Sequence, residues 1–157
     1  AGWEARAGDP AFHPDASPDS EQLLAPILKA VADDVVDTLL FIDEAKLEGK
    51  VQSGSGFAER FASAGPKDKK GRSLRDLDLN TRLMKYPCSY LIYSPMFDNL
   101  PPSVKTLIYQ RMWEVLSGAE KDARYRTALT LADRKAIVEI LRDTKPGLPS
   151  YFKAVTR

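Results

Sequence analysis

The chain has 157 residues, of which 43% are hydrophobic and 29% are charged, as in an ordinary globular domain. Its 23 basic and 22 acidic residues give a net charge of +1, which excludes a general electrostatic attraction to nucleic acid or to an anionic membrane. With a single cysteine and a single histidine, the chain can form neither an internal disulfide nor a structural zinc site built from Cys and His. No apolar run is long enough to be a transmembrane segment.

The N-terminal part of the chain predicts an irregular arm followed by a long helix. Residues 1–19 are rich in proline and glycine, which disfavour regular structure. Ser17 followed by Pro18 is typical of a helix N-terminus, and apolar residues at steps of three and four extend this helix to near Glu44. The predicted buried face consists of Leu24, Ile27, Leu28, Val31, Val35, Leu39 and Ile42.

The middle of the chain predicts short helices separated by polar loops. Ser55 is placed to cap a short helix, and residues 65–73 form a polar, basic loop. Ser73 with an acidic residue three positions later resembles a capping box, so we expect a helix from there to Tyr86. Ser94 followed by proline predicts one further helical turn.

The C-terminal third contains the two clearest helical patterns. The first helix is predicted to begin at the Pro101-Pro102 pair and to stop at Gly118. Along it we expect Trp113 to pack in the core and Arg111 to face water. Thr130, with an acidic residue three positions later, predicts the cap of the last helix.

Together these elements predict an all-α fold, a compact bundle of about five or six short to medium helices with proline-rich connections. We expect residues 20–152 to form a single helical domain. Residues 1–19 then form an N-terminal arm, and residues 153–157 form a C-terminal tail. The sequence shows no convincing pair of strands and no internal repeat.

The sequence assembles no catalytic constellation. A nucleophilic Cys88 would need a base, and the one histidine, His13, lies in the N-terminal arm. Because cysteine is often buried, we expect Cys88 to be a core residue. Asp33 and Asp37 lie opposite the apolar face of the first helix, where a solvated helix surface explains them. We therefore lean against an enzyme and expect no cofactor and no metal site.

One candidate ligand site lies in the basic loop. Residues 65–75 carry Lys70 and Arg72 to the N-terminus of the helix predicted from Ser73. Such an end binds anions through its free N–H groups and its dipole. A solvated loop explains the same residues without a ligand.

A second candidate lies in the tyrosine-rich segment 86–97. Tyr90 and Tyr93 share a helical face with Tyr86 if the helix continues past the intervening proline. Tyrosines in such a stripe are commonly packing residues, because each ring buries area while its hydroxyl finds a partner. We therefore expect a hydrophobic segment, with a pocket beside Tyr90 and Tyr93 as the alternative.

The run GRSLRDLDLNTRLMKYPCSYLIYSPMFDNLPPSVKTLIYQRMWEVLSG, residues 71–118, resembles the C-terminal block of large uncharacterised bacterial proteins, many of them exported. FIDEAKLEGKVQSGSGFAERFA, residues 41–62, resembles the stretch that precedes it there. This resemblance implies a bacterial module, periplasmic or exported, without a defined activity. LTLADRKAIVEILRDTKPGLPSYF, residues 129–152, is similar to the closing helix of c-type cytochrome domains. The CxxCH haem-attachment motif is absent, because Ser89, Tyr90 and Leu91 follow the cysteine.

The leading hypothesis is therefore a non-catalytic helical structural or interaction module of a larger bacterial protein. Its partners would be other domains of the parent chain or a separate protein. One alternative is a small-ligand or anion-binding domain that uses the 65–75 loop and the 86–97 segment. Another is an accessory module of a haem or electron-transfer protein, without covalent haem of its own.

Overall fold

The structure is a computed structural model that describes residues 18–52, 54 and 56–156, with side chains described from residue 22 onward. The predicted N-terminal arm up to residue 17, including His13 and Ser17, lies outside the described residues, as does the predicted cap Ser55. Within the described part the fold is all-α, as predicted. Its six α-helices are α1 Pro18–Leu39, α2 Phe57–Ser63, α3 Pro95–Asp98, α4 Pro102–Ser117, α5 Ala123–Ala128 and α6 Leu131–Thr144.

The core is built around α4 and the C-terminal half of α1. These two helices pack together, α6 also packs against α4, and a 3-10 helix, Tyr90–Tyr93, packs against α3. Fully buried side chains from these elements include Val36, Ile92, Met112 and Ile137. The packing extends beyond residue 152, because Val155 is 8% exposed and belongs to the core.

Several local predictions are confirmed by the helix ends. Helix α4 begins with a proline pair and ends at Gly118, whose φ of 81° is the left-handed conformation that glycine adopts readily. Thr130 and Asp133 form the predicted capping box of α6. Ser94 caps the single turn of α3 by accepting a hydrogen bond from the Phe97 N–H.

The helix predicted from Ser73 to Tyr86 is wrong. Asp76 accepts a hydrogen bond from the Ser73 N–H, and Asp78 accepts bonds from the backbone and the hydroxyl of Thr81. Leu77 forms an isolated antiparallel bridge with Met84, so the chain reverses direction between them. Short acidic side chains that bind nearby backbone N–H groups compete with the helical hydrogen bonds, which explains the failed prediction.

The first helix is also shorter and less buried than predicted. It ends at Leu39 instead of near Glu44, and Phe41 adopts a left-handed φ of 52°. The carbonyl oxygen of Leu39 accepts a hydrogen bond from the Ser89 N–H at 2.7 Å. Burial begins only at Ala32, because residues 22–31 are all exposed.

Candidate functional site

The basic loop does not lie at a helix N-terminus, so the physical basis of the predicted anion site is absent. Residues 65–72 instead fold around the carboxylate of Asp68, which is 6% exposed. Asp68 accepts hydrogen bonds from the backbone N–H groups of Lys70 and Arg72 and from the Arg72 side chain. Burial opposes the ionisation of Asp68, but these hydrogen bonds outweigh it and hold the pKa of the carboxyl below its ordinary value.

The two predicted cations, Lys70 and Arg72, are already paired with carboxylates. Lys70 Nζ lies 2.8 Å from Glu139 Oε2, and Arg72 Nη2 lies 2.7 Å from the same oxygen. Together they lower the pKa of Glu139. These residues line a charged groove of about 430 Å³ that also contains Asp143. An anion entering this groove would have to displace, or lie beside, three carboxylates.

Ser73 lies apart from the groove and is fully buried. Its hydroxyl oxygen accepts a hydrogen bond from the Arg75 N–H at 3.1 Å, which closes the turn that replaces the predicted helix. The structure therefore brings Lys70 and Arg72 together at one groove and places Ser73 inside the fold.

The predicted tyrosines separate into different environments. Tyr93 packs against the core, and its hydroxyl lies 2.6 Å from the Thr144 hydroxyl of α6. Burial raises the pKa of Tyr93 to about 12, which favours the neutral phenol. Tyr90 faces the other way and lines an apolar cavity. Cys88, which lies between Tyr86 and Tyr90 in the sequence, is fully buried, so its predicted core position is confirmed. Burial raises the pKa of its thiol to about 12.

The apolar cavity beside Tyr90 has a volume of about 470 Å³. Helix α2 contributes Phe57 and Phe61 to its wall, and the reversed segment 77–84 contributes leucine side chains. The two phenylalanine rings stack at 5.7 Å, and Phe61 meets the edge of Tyr90 at 5.5 Å. The mouth leaves large apolar side chains in water: Phe57 is 54% exposed and Leu83 is 45% exposed.

Arg75 packs on two of the aromatic rings of this cavity but is not itself one of the lining residues. The Cζ atom of Arg75 is 4.2 Å from the ring centre of Phe61 and 4.5 Å from that of Tyr90. Its ring partners are distant in sequence, so no local motif marks Arg75 as a site residue. It does lie within the basic loop, residues 65–75, that the sequence indicates as a candidate ligand site.

A second candidate surface is the N-terminal half of α1. Within residues 22–31 every side chain is exposed, yet five of them are large and apolar. Their exposed fractions are Leu23 73%, Leu24 51%, Ile27 58%, Leu28 37% and Val31 47%. All of them except Leu23 were predicted to lie on the buried face of the helix, so that prediction is wrong for this half.

The exposed half of α1 ends at a set of ion pairs. Arg111, predicted to face water, is only 14% exposed, and its Nε lies 2.9 Å from Asp33 Oδ1 without hydrogen-bond geometry. Arg111 also donates hydrogen bonds to Glu120 at 2.6 Å and to the hydroxyl of Tyr125 at 2.9 Å. One turn further along α1, Asp37 accepts a bond from the same hydroxyl at 2.9 Å. The aspartates predicted to be solvated therefore attach α1 to α4 and α5.

The described residues contain no group of three or more His, Cys, Asp or Glu side chains arranged to hold a metal ion. None of the described helices combines the length and apolarity needed to cross a membrane. Comparison of the chain with protein-family models, with curated proteins and with solved structures found no match in any of the three.

Proposed function

We propose that this chain is a non-catalytic interaction module that presents the N-terminal half of α1 to a partner. The partner is another domain of a parent chain or a separate protein. The single observation that supports this function is the exposed apolar stripe on residues 22–31, which no described part of the chain covers.

The energetics of the helix support this proposal. A short helix without tertiary contacts is marginal in water, because helical stability in proteins comes mostly from packing of the apolar face. The five apolar side chains of this stripe, which are 37% to 73% exposed, together present roughly 300–600 Å² of surface. A patch of this size on a monomer is often functional. A partner that covers the stripe would supply the packing that this part of α1 lacks.

The spacing of the stripe indicates how the partner binds. Leu24, Ile27, Leu28 and Val31 stand at positions i, i+3, i+4 and i+7 of one helix. An amphipathic helix that docks into an apolar groove uses anchors at this spacing. The stripe covers too few heptads for an independent coiled coil, which needs about three or four. We therefore expect the partner to provide a groove and α1 to provide the inserted helix.

Site-specific photo-crosslinking in cells tests this function. A photoreactive residue at Ile27, which is 58% exposed, should give one defined crosslinked product. The matched control is Gln22, which is exposed on the opposite side of the same helix and should give none. Equal products from both positions, or none from Ile27 in the native host, would contradict the proposal.

A paired substitution supplies the second arm of the test. Replacing Leu24 and Leu28 together by glutamate should abolish the Ile27 crosslink, since charges in an apolar groove are costly to desolvate. Thermal unfolding should change little, because both positions lie outside the core. Gln22→Glu adds charge to the opposite face and should leave the crosslink intact.

A further inference from the structure

We propose that the groove between the N-terminal half of α4 and the loop after α6, residues 146–151, binds a proline-rich peptide segment in the polyproline II conformation. This site is separate from the stripe on α1 and does not depend on the proposed function. Three features of the groove support it: an aromatic and proline lining, a buried hydroxyl without a partner, and acceptors in the wall that are already engaged.

The size and lining of the groove suit a short peptide segment. Its volume of about 400 Å³ lies within the range of ligand sites, roughly 300–1,000 Å³. Helix α4 contributes Pro102 and Tyr109 to the wall, and the loop contributes Pro146, Pro149 and Tyr151. Proline-rich segments dock in grooves lined by aromatic side chains, where the rings of both partners can pack.

Tyr109 has a buried ring but a hydroxyl without a partner. The residue is 5% exposed, and its ring meets Phe97 at 5.6 Å and Phe152 at 5.9 Å, edge to face in both cases. No described residue forms a hydrogen bond with its hydroxyl, yet that oxygen is not shielded from water. Since Tyr109 lines the groove, the hydroxyl is open to a ligand there. Most polar groups on buried residues have a partner, so an acceptor on a ligand would supply the one that the described part of the chain lacks.

Both tyrosines of the groove keep their protons at neutral pH. Burial raises the pKa of Tyr109 to about 12, and the carboxylate of Asp98 and the hydroxyl of Tyr151 add to this effect. Burial also raises the pKa of Tyr151, whose hydroxyl likewise has no hydrogen-bond partner among the described residues. The groove therefore offers two free O–H donors to a ligand.

Acceptors in the wall of the groove are, in contrast, already engaged. The carboxylate of Asp98 lies 2.5 Å from Lys145 Nζ, and the Asp98 carbonyl accepts a hydrogen bond from Lys105 Nζ at 2.7 Å. The carbonyl of Pro102 accepts a hydrogen bond from the Thr106 hydroxyl at 2.9 Å. A ligand with many N–H groups would lose hydrogen bonds to water here without regaining them, which is costly.

These observations select the class of ligand. A polyproline II segment has no internal hydrogen bonds, so its carbonyl oxygens are free to accept from the two tyrosine hydroxyls. Its proline residues have no N–H group that needs an acceptor. The ligand can be neutral, because the one carboxylate that lines the groove, Asp98, is already paired with a lysine.

The test compares acetylated, amidated hexaproline with an acetylated, amidated Gly-Ser repeat of the same length, which is also neutral but has an N–H group at every residue. NMR titrations of the whole chain should show saturable shifts at Thr106, Gly147 and Tyr151 with hexaproline and none with the Gly-Ser peptide. Tyr109→Phe removes only the free hydroxyl and should weaken hexaproline binding about fivefold. Tyr86→Phe makes the same change outside the groove and should leave binding unchanged.

Several results would overturn the proposal. Equal shifts with the two peptides in the unmodified chain would exclude a preference for proline, whether or not the Tyr109 variant folds. Undiminished hexaproline binding by a folded Tyr109→Phe variant would exclude the hydroxyl as a donor to the ligand. Hexaproline shifts confined to the exposed stripe of α1 would show adsorption to apolar surface. Groove shifts on raising the protein concentration without peptide would identify a second copy of the chain as the occupant.

Discussion

The two halves of α1 have the same apolar period but opposite environments. Residues 32–39 bury their apolar face against α4, and Val36 is completely inaccessible. Residues 22–31 carry the same kind of face in water. Periodicity therefore predicts that a helix has an apolar face, but it does not predict whether the chain itself covers that face. The uncovered half is where a partner is expected.

The largest expected difference between the halves is in unfolding free energy. Leu39→Ala removes a side chain that is 7% exposed and should cost about 3 kcal/mol. Leu24→Ala makes the same change at a position that is 51% exposed and should cost under about 0.5 kcal/mol. Urea denaturation of both variants measures the two costs. Similar costs at both positions would mean that the N-terminal half also packs within the chain.

A smaller effect is expected at the ion pairs that divide the two halves. Arg111→Ala removes the cation that lies against the carboxylates of both Asp33 and Glu120 and should cost about 2 kcal/mol, less than at a fully buried pair because both carboxylates are partly solvated. Lys29→Ala removes an exposed ion pair to the same Asp33 and should cost under about 0.5 kcal/mol. Denaturant titration measures the unfolding free energies of both variants. An Arg111→Ala variant as stable as the unmodified chain would show that these contacts do not anchor the helix.

The reactivity of the Cys88 thiol should depend on the packing at the C-terminal end of α1. Cys88 is fully buried, and the next residue, Ser89, donates its N–H to the Leu39 carbonyl. Native protein should therefore react with iodoacetamide only through unfolding. Leu39→Ala should accelerate this reaction about a hundredfold if unfolding limits it, whereas Leu24→Ala should not. Rapid labelling of the native chain would show an accessible thiol and reopen the question of an enzyme.

The smallest expected effect is the pH dependence at Glu120. Hydrogen bonds from the Asp122 N–H and from Arg111 lower the pKa of Glu120 from 4.5 to about 2. The stability that this carboxylate contributes is present above the unfolded pKa and is lost as the pH falls through the folded pKa. Glu120→Gln should therefore destabilise the chain at neutral pH, and the difference should shrink between pH 4.5 and about 2. A constant difference across that range would contradict this.

Local sequence rules predicted the parts of the fold that local forces determine. The all-α class, the ends of α4, the capping box at Thr130 and the buried Cys88 follow from periodicity, capping chemistry and burial preferences. The prediction of a helix from Ser73 was wrong because the carboxylates of Asp76 and Asp78 accept hydrogen bonds from nearby backbone N–H groups and form a turn instead.

The candidate sites depend on contacts between residues that are distant in sequence. Arg75 stacks on two rings only because α2 and the 3-10 helix meet beside it. Lys70 and Arg72 are less available to a ligand because both are hydrogen-bonded to Glu139, which lies 69 and 67 residues further along the chain. The exposure of the stripe on α1 likewise depends on where α4 ends its contact with α1. Patterns of residue spacing within a short stretch of sequence therefore do not predict these contacts.

Residue-resolved hydrogen exchange on the monomeric chain compares the two halves of α1 most directly. Amides of residues 32–39 should exchange at least about a thousandfold more slowly than unstructured amides, because opening them requires loss of the core. Amides of residues 22–31 should exchange within about tenfold of unstructured rates, because a helix without tertiary contacts opens readily. Equal, strong protection of both halves in a dilute monomer would contradict an uncovered contact helix and would remove the observation that supports the proposed function.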